Sequence, residues 1–169
     1  MIECFLGLGS NQQDPVRVLH QAFQKITSLP STAMGKSADI ILTEPFGITG
    51  QPRFYNQVIQ ILTHLTPLQL LSHLLQIEHQ LGKVRDKCWG PRIIDIDLLI
   101  YGKTFLKTKE LTIPHPQIWQ RDFVKEQLLE FNNPLIRYYF ESNINIDELL
   151  QHKKPKMLPQ FLDKFFTSI

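Results

Sequence analysis

Cysteine is scarce in this chain: Cys4 and Cys88 are the only two in 169 residues. Two thiols make no disulfide framework, and nothing at metal-ligand spacing stands beside either one. Long apolar runs are missing as well. No stretch approaches the roughly 20 residues that a membrane-spanning helix needs. The first residues, MIECFLGLGSN, place Glu3 where a signal peptide carries basic residues. An excess of one charge is also absent. Lys and Arg total 18 against 16 acidic residues, and a net charge of +2 announces neither a nucleic-acid nor a membrane partner. There is no P-loop motif, no protein-kinase motif set, no internal repeat and no low-complexity tract. A reduced, cytoplasmic protein is the expectation.

What is present is a globular composition, 43% apolar and 20% charged, in a length that suits one core. Residues 1–150 are expected to form a single domain, with 151–169 as an extension. Residues 2–9 (IECFLGLG) read as a buried strand, in which Gly7 and Gly9 admit a close backbone or an unusual turn. Asp14 and Pro15 then open a helix as N-cap and first residue, and Val16, Leu19, Phe23, Ile26 and Leu29 recur at helical spacing. Residues 36–43 read as a second strand, 44–53 as a Gly/Pro loop and 54–63 as a third strand. Thr66 and Gln69 have capping-box spacing around Pro67. The helix they start carries Leu71, Leu74, Leu75 and Leu81 as its apolar stripe, with Glu78 on that stripe and Gly82 at its end. A strand or hairpin is expected over 104–113, a helix over 121–131 and a short capped helix from Asn145. The order β-α-β-β-α-β through residue 100 is the split βαβ pattern of ferredoxin-like α+β folds with an antiparallel sheet. In the extension, Leu158, Phe161, Leu162, Phe165, Phe166 and Ile169 share one helical face. That face predicts a helix docked on the body or on a second copy, in a monomer or weak homodimer.

The chemistry gathers in residues 89–102, WGPRIIDIDLLIYG. Asp95 and Asp97 interrupt an apolar strand, where an unpaired carboxylate is costly to bury. At i and i+2 they point to one face, about 6.6 Å apart along the strand, while positions 94, 96 and 98 point to the core. Two like charges on one surface repel unless a cation lies between them. Carboxylates suit Mg²⁺, which completes its shell with waters and phosphate oxygens. Taken singly, the pair also describes a solvated outer face. The neighbours weigh against that. Lys83, Arg85, Lys87 and Arg92 crowd the residues just upstream, and cations beside a carboxylate metal site are what a polyphosphate needs. Glu78 offers an acceptor for a nucleotide hydroxyl or a metal-bound water. Trp89, Phe46, Phe54 and Phe123 offer flat apolar faces to a planar ring. Asn56 donates and accepts in fixed geometry, as a heterocycle edge requires.

With GKVR upstream, WGPRIIDIDLLIYG resembles the signature of the hydroxymethyldihydropterin pyrophosphokinase family of the folate pathway. GLGSN, TEPFG, QPRFYNQV, LTIPHP and QRDFV match the same family in the same order, from about residue 2 to 132. The resemblance implies transfer of the terminal pyrophosphate of ATP to the hydroxymethyl group of 6-hydroxymethyl-7,8-dihydropterin. The products would be the pterin diphosphate and AMP, on the way to tetrahydrofolate. It implies that Asp95 and Asp97 hold two Mg²⁺, with Lys83 and Arg92 completing the catalytic set. Thr43, Phe46, Phe54, Asn56, Trp89, Arg92 and Phe123 would then bind the pterin. Glu78, Lys83, Arg85, Thr112, His115 and Arg121 would bind ATP. Neither nucleic acid nor membrane is implied as a partner.

Several positions depart from the family pattern, among them Glu110 and Leu75, which stand where some members place polar or basic nucleotide contacts. Lys83 stands where Arg is usual, which keeps the charge and loses the guanidinium fork. Cys88 replaces a frequent Arg, and Pro116 a Tyr found in some members. The rival reading is a non-catalytic ferredoxin-like module that binds a nucleotide or RNA. An RNA-binding sheet would carry aromatics on its central strands, whereas here they carry IECFLGLG and IIDIDLLI.

Overall fold

β1 (Ile2–Ser10) runs through the middle of an antiparallel sheet, with β4 (Phe54–Thr63) on one side and β5 (Asp95–Tyr101) on the other. β2 (Thr32–Ser37) pairs with the far half of β4, and β3 (Ile41–Thr43) with its near half. The strand order is β2-β4-β1-β5, with β3 beside β4. Two helical crossovers, α1 (Pro15–Thr27) and α2 (Pro67–Gln80), link these strands in the ferredoxin-like order that the sequence pattern implies. The computed structural model describes residues 1–45, 50–83 and 92–141.

Strand alternation sorts the side chains into two cores. Cys4, Leu6, Leu8, Ile59, Ile61, Ile96 and Leu98 face α1 and α2, where Leu19, Ile26, Leu70 and Leu74 are fully buried. The opposite face buries Phe5, Val58, Leu99 and Ile100. A hairpin of β6 (Leu106–Lys107) and β7 (Thr112–Ile113) follows β5. A 3₁₀ turn (Pro116–Trp119), α3 (Asp122–Glu130) and α4 (Pro134–Glu141) come after it. They supply Ile118, Val124, Leu128, Phe131 and Ile136 to this second core. Phe131 meets Phe5 edge-on, with ring centroids 5.2 Å apart.

Local chemistry sets the helix ends. The Asp14 carboxylate accepts the Arg17 N–H at 3.2 Å, and Thr66 and Gln69 form both bonds of a capping box. The buried stripe of α2 is Leu70, Leu74, Ile77 and Glu78, rotated by about one position from the expected one, so that Leu75 faces solvent. Residues 36–43 do not form one strand. Gln60 on β4 turns its amide oxygen to the Lys36 N–H at 2.9 Å, and a Cβ at Gly35 would lie 2.5 Å from that oxygen. The side chain takes the place of a ladder bond, the register slips between Met34 and Ser37, and β3 begins anew at Ile41.

The expected short helix near 145 and the expected docked tail, 151–169, lie outside the described residues. Among the described residues, no helix is long and apolar enough to cross a membrane.

Candidate active site

The face of β5 that carries Asp95 and Asp97 opens into a cleft rather than into the second core. β1 clears the ground for it. Gly7 stands opposite Asp97 in the ladder and Gly9 opposite Asp95. On the other side Gly7 pairs with Val58 and Gly9 with Asn56. The middle strand therefore contributes backbone alone to the cleft floor. Asp95 and Asp97 form one wall with Arg92, His115 and Arg121, and Thr43, Phe54, Asn56 and Phe123 form the other. Residue type marks Asp95, Asp97, Arg92, Phe54, Asn56 and Phe123, and the family resemblance alone marks Thr43, His115 and Arg121; the fold brings all nine to one cavity.

The apolar wall holds its polar groups in fixed directions. Asn56, 7% exposed, donates its amide N–H to Thr43 Oγ1 at 2.8 Å. Its carbonyl Oδ1 lies beside Gly9, where a Cβ would sit 2.8 Å away.

The charged wall is tied down from behind. Asn11, the last residue of GLGSN, is buried and accepts the Arg92 N–H at 2.8 Å. Its own N–H donates to the Arg92 carbonyl at 3.1 Å, and its side-chain amide donates to the Pro52 carbonyl at 3.1 Å. One side chain thus joins the Arg92 segment to the loop before β4. Nothing in the spacing of the sequence marks Asn11 for this work, although the GLGSN match contains it. His115 is held by its N–H to the Leu99 carbonyl at 2.8 Å. Its Nδ1 accepts the Gln117 N–H at 3.3 Å as it caps the 3₁₀ turn, which leaves Nε2 as the protonated nitrogen of the neutral ring. Burial pushes the His115 imidazole down from its ordinary value, with Asp97 pulling it up and Arg121 down. Burial also works against the Arg121 charge, which Asp97 and then Asp95 support. Gln117 lines the cleft without having been anticipated. The signal for it is the HPQ sequence, where a His before a Pro at the first helical position reads as a cap.

Asp95 is clamped by two cations. Arg92 bonds one carboxylate oxygen, and Lys83 Nζ lies 2.8 Å from the other. Lys83 Nζ also lies 2.7 Å from Glu78 Oε1, which accepts the Ile96 N–H at 2.7 Å as well. Glu78 is therefore an inward-facing, buried carboxylate rather than a frayed one, 3% exposed at the end of α2. Burial raises its pKa from 4.5, against the opposing pull of Lys83 and the Ile96 N–H. Burial lowers the pKa of Lys83, but Asp95 and Glu78 outweigh it and hold the ammonium above 10.5. Thr112 lies in β7, paired with Lys107, and is not part of the cleft lining. Phe46, Arg85, Cys88 and Trp89 lie outside the described residues.

The donor set fits a hard cation. Two carboxylates share one open face, and among the described residues no cluster of three or more His, Cys, Asp or Glu builds a closed metal cage. Mg²⁺ is commonly held in this way, by one or two carboxylates with the rest of its shell left to waters and phosphates.

Known proteins resemble this chain over the same residues. The family model described as 7,8-dihydro-6-hydroxymethylpterin-pyrophosphokinase matches residues 5–133. A 2-amino-4-hydroxy-6-hydroxymethyldihydropteridine pyrophosphokinase of Haemophilus influenzae is 38% identical over 136 residues, which is 80% of this chain and 85% of the relative. The protein of that name from Bacillus subtilis is 36% identical, over 75% of each chain. Among solved structures, Plasmodium falciparum HPPK-DHPS superposes with a TM-score of 0.53 over 88% of this chain and 46% of that one. At 16% identity, that likeness bears on the fold alone.

Proposed function

The chain belongs to the 7,8-dihydro-6-hydroxymethylpterin-pyrophosphokinase family and is an ATP-dependent diphosphotransferase of folate biosynthesis; from that premise we propose how its cleft divides the work. The hydroxymethyl group of 6-hydroxymethyl-7,8-dihydropterin attacks the β-phosphorus of ATP in line, and AMP leaves. Membership in this family sets aside the reading of a non-catalytic nucleotide- or RNA-binding module.

One observation supports the division best. Gly9 separates Asn56 from Asp95 by one bare strand, so the two side chains stand about two strand spacings, roughly 10 Å, apart. A bicyclic ring read at Asn56 carries its side arm across that distance to the carboxylates. Phe54 and Phe123 bound the ring, and the resemblance gives Phe46 and Trp89 to the pterin as well. Asn56 and Thr43 offer it fixed donors and acceptors.

The carboxylates of Asp95 and Asp97 are the residues that would hold two Mg²⁺. When bound, such ions neutralise phosphate oxygens and fix the phosphate chain for in-line transfer. The remaining charge falls to the protein. Arg92 reaches both the phosphates and the pterin side. Lys83, Arg85 and Arg121 bind phosphate oxygens, and His115 donates from Nε2. Glu78 belongs to the nucleotide half; Thr112, which the resemblance gives to the same half, stands in β7 outside the cleft lining. Little covalent chemistry is asked of any residue; positioning and charge neutralisation supply the rate.

Asp95→Asn and Asp97→Asn test this assignment. Each should lower AMP formation by a factor of about 10³ or more while leaving the circular dichroism spectrum of a folded chain. Near-normal turnover in either variant contradicts the metal role.

A further inference from the structure

Lys83 is bound at both ends to the same glutamate. Gly82 adopts a left-handed φ of 93°, which ends α2 and lets the Lys83 N–H donate to the Glu78 carbonyl at 3.0 Å. The side chain then doubles back, and its ammonium lies between Glu78 Oε1 at 2.7 Å and Asp95 Oδ1 at 2.8 Å. Glu78 in turn holds the N–H of Ile96, the residue between the two aspartates. The ammonium thus sits on an oxygen that the reading above gives to Mg²⁺. A cation already satisfies the carboxylate there, and a metal ion must displace it.

We propose that Lys83 is a built-in counter-ion that keeps the Asp95 carboxylate closed to free metal and yields it when nucleotide arrives. The proposal rests on the reading of Asp95 and Asp97 as metal ligands. Its physical basis is an exchange of partners. Free Mg²⁺ would evict the ammonium into solvent and leave Glu78 buried without it, which is costly. A nucleotide brings its own anions. Its phosphate oxygens replace Asp95 beside the ammonium as the metal takes that carboxylate, and Lys83 keeps its bond to Glu78, so no charge is stranded. Lysine suits this role better than arginine, because a compact ammonium on a flexible stem changes partners without losing a bidentate fork. Glu78 is a positioning residue, the seat to which Lys83 is anchored.

Binding of Mn²⁺, followed by electron paramagnetic resonance on the full chain, tests this without turnover. A contact closed for roughly nine-tenths of the time weakens apparent affinity about tenfold. Lys83→Gln should therefore bind free Mn²⁺ about tenfold more tightly than the unaltered chain, and Lys83→Arg should restore the weaker binding. Lys125→Gln removes an equal charge from a lysine that pairs with Asp122, and it should change affinity by less than twofold. With a non-hydrolysable ATP analogue present, the gap between Lys83→Gln and the unaltered chain should close. Equal free-metal affinities in Lys83→Gln and the unaltered chain overturn the proposal and leave the metal reading intact. A gap that the analogue leaves unchanged overturns the exchange. Mn²⁺ binding that Asp95→Asn and Asp97→Asn fail to weaken overturns the metal reading itself. Should Lys83→Gln not fold, lysine-selective ¹⁵N spectra of the unaltered chain, assigned with Lys83→Arg, replace it. The Lys83 ammonium signal must then be protected without ligand and shift when Mg²⁺ and analogue are added together; an unprotected or unmoved signal contradicts the proposal.

Discussion

Gly9 of β1 stands directly opposite Asp95 of β5 in the antiparallel ladder. That pairing leaves the cleft floor bare beside the carboxylate. A side chain at position 9 would rise from the floor between the carboxylates and Asn56. The chain leaves the strand bare there, at the entropic cost that glycine carries in a strand.

Gly9→Ala should therefore damage pterin binding before anything else. The new Cβ would come within 2.8 Å of Asn56 Oδ1, and Asn56 is pinned to Thr43 and has little room to yield. We expect KM for the pterin to rise about tenfold, the equivalent of roughly 1.4 kcal/mol, with KM for ATP within twofold of normal. Steady-state kinetics with each substrate varied separately will show whether the loss is confined to the pterin.

Asn11→Ala removes the side chain that ties Arg92 to Pro52. Two part-buried bonds are lost and their backbone partners are left unsatisfied, at a cost of about 2 kcal/mol in urea unfolding. Both Michaelis constants should rise, because Arg92 belongs to the phosphate and pterin sides alike. A variant as stable as the unaltered chain would show that the bridge is not needed.

Glu78 sets a dependence of stability on pH. Burial raises its pKa above 4.5, so the folded chain binds this proton more tightly than the unfolded chain does. The resulting stability is fully present below pH 4.5 and is lost as pH rises through the raised value. Glu78→Gln carries no such proton. Its stability relative to the unaltered chain should therefore improve steadily as pH climbs from 4.5. Urea midpoints of both proteins across that range give the difference directly, and a flat difference would contradict a raised pKa.

Cys4 is fully buried, and burial, helped by Glu3, pushes its thiol up to about 12. A thiol held neutral is a poor nucleophile. At pH 8 a thiol reagent should leave Cys4 untouched in the native chain and modify it fully in urea, as peptide mass mapping will record. Native modification at the rate of a free thiol would show that β1 opens readily.

Much of this was readable before folding, because the signals were local. Asp14–Pro15 and Thr66–Gln69 announce helix starts through chemistry confined to one turn. The alternation around Asp95 and Asp97 places both carboxylates on one face. What escaped depended on distant partners. The break after Ser37 follows from a Gln60 side chain more than twenty residues away. Leu99 shares the aspartates' face yet is buried, because the 3₁₀ turn, α3 and α4 cover that end of the strand. α4 itself went unread. Most of the cleft could be named by residue type, but the facing of Gly7 and Gly9 on Asp97 and Asp95 is a fact of register. The bridge made by Asn11 and the clamp made by Lys83 are tertiary, joining segments through bonds that no spacing within either one records.

The account turns on attack at the β-phosphorus, and the fate of that atom tests it. ATP labelled with ³²P at the β position, incubated with Mg²⁺, 6-hydroxymethyl-7,8-dihydropterin and the enzyme, should pass its label to the pterin and release unlabelled AMP. Label retained in ADP, with a pterin monophosphate as the other product, would mean attack at the γ-phosphorus and would contradict the account.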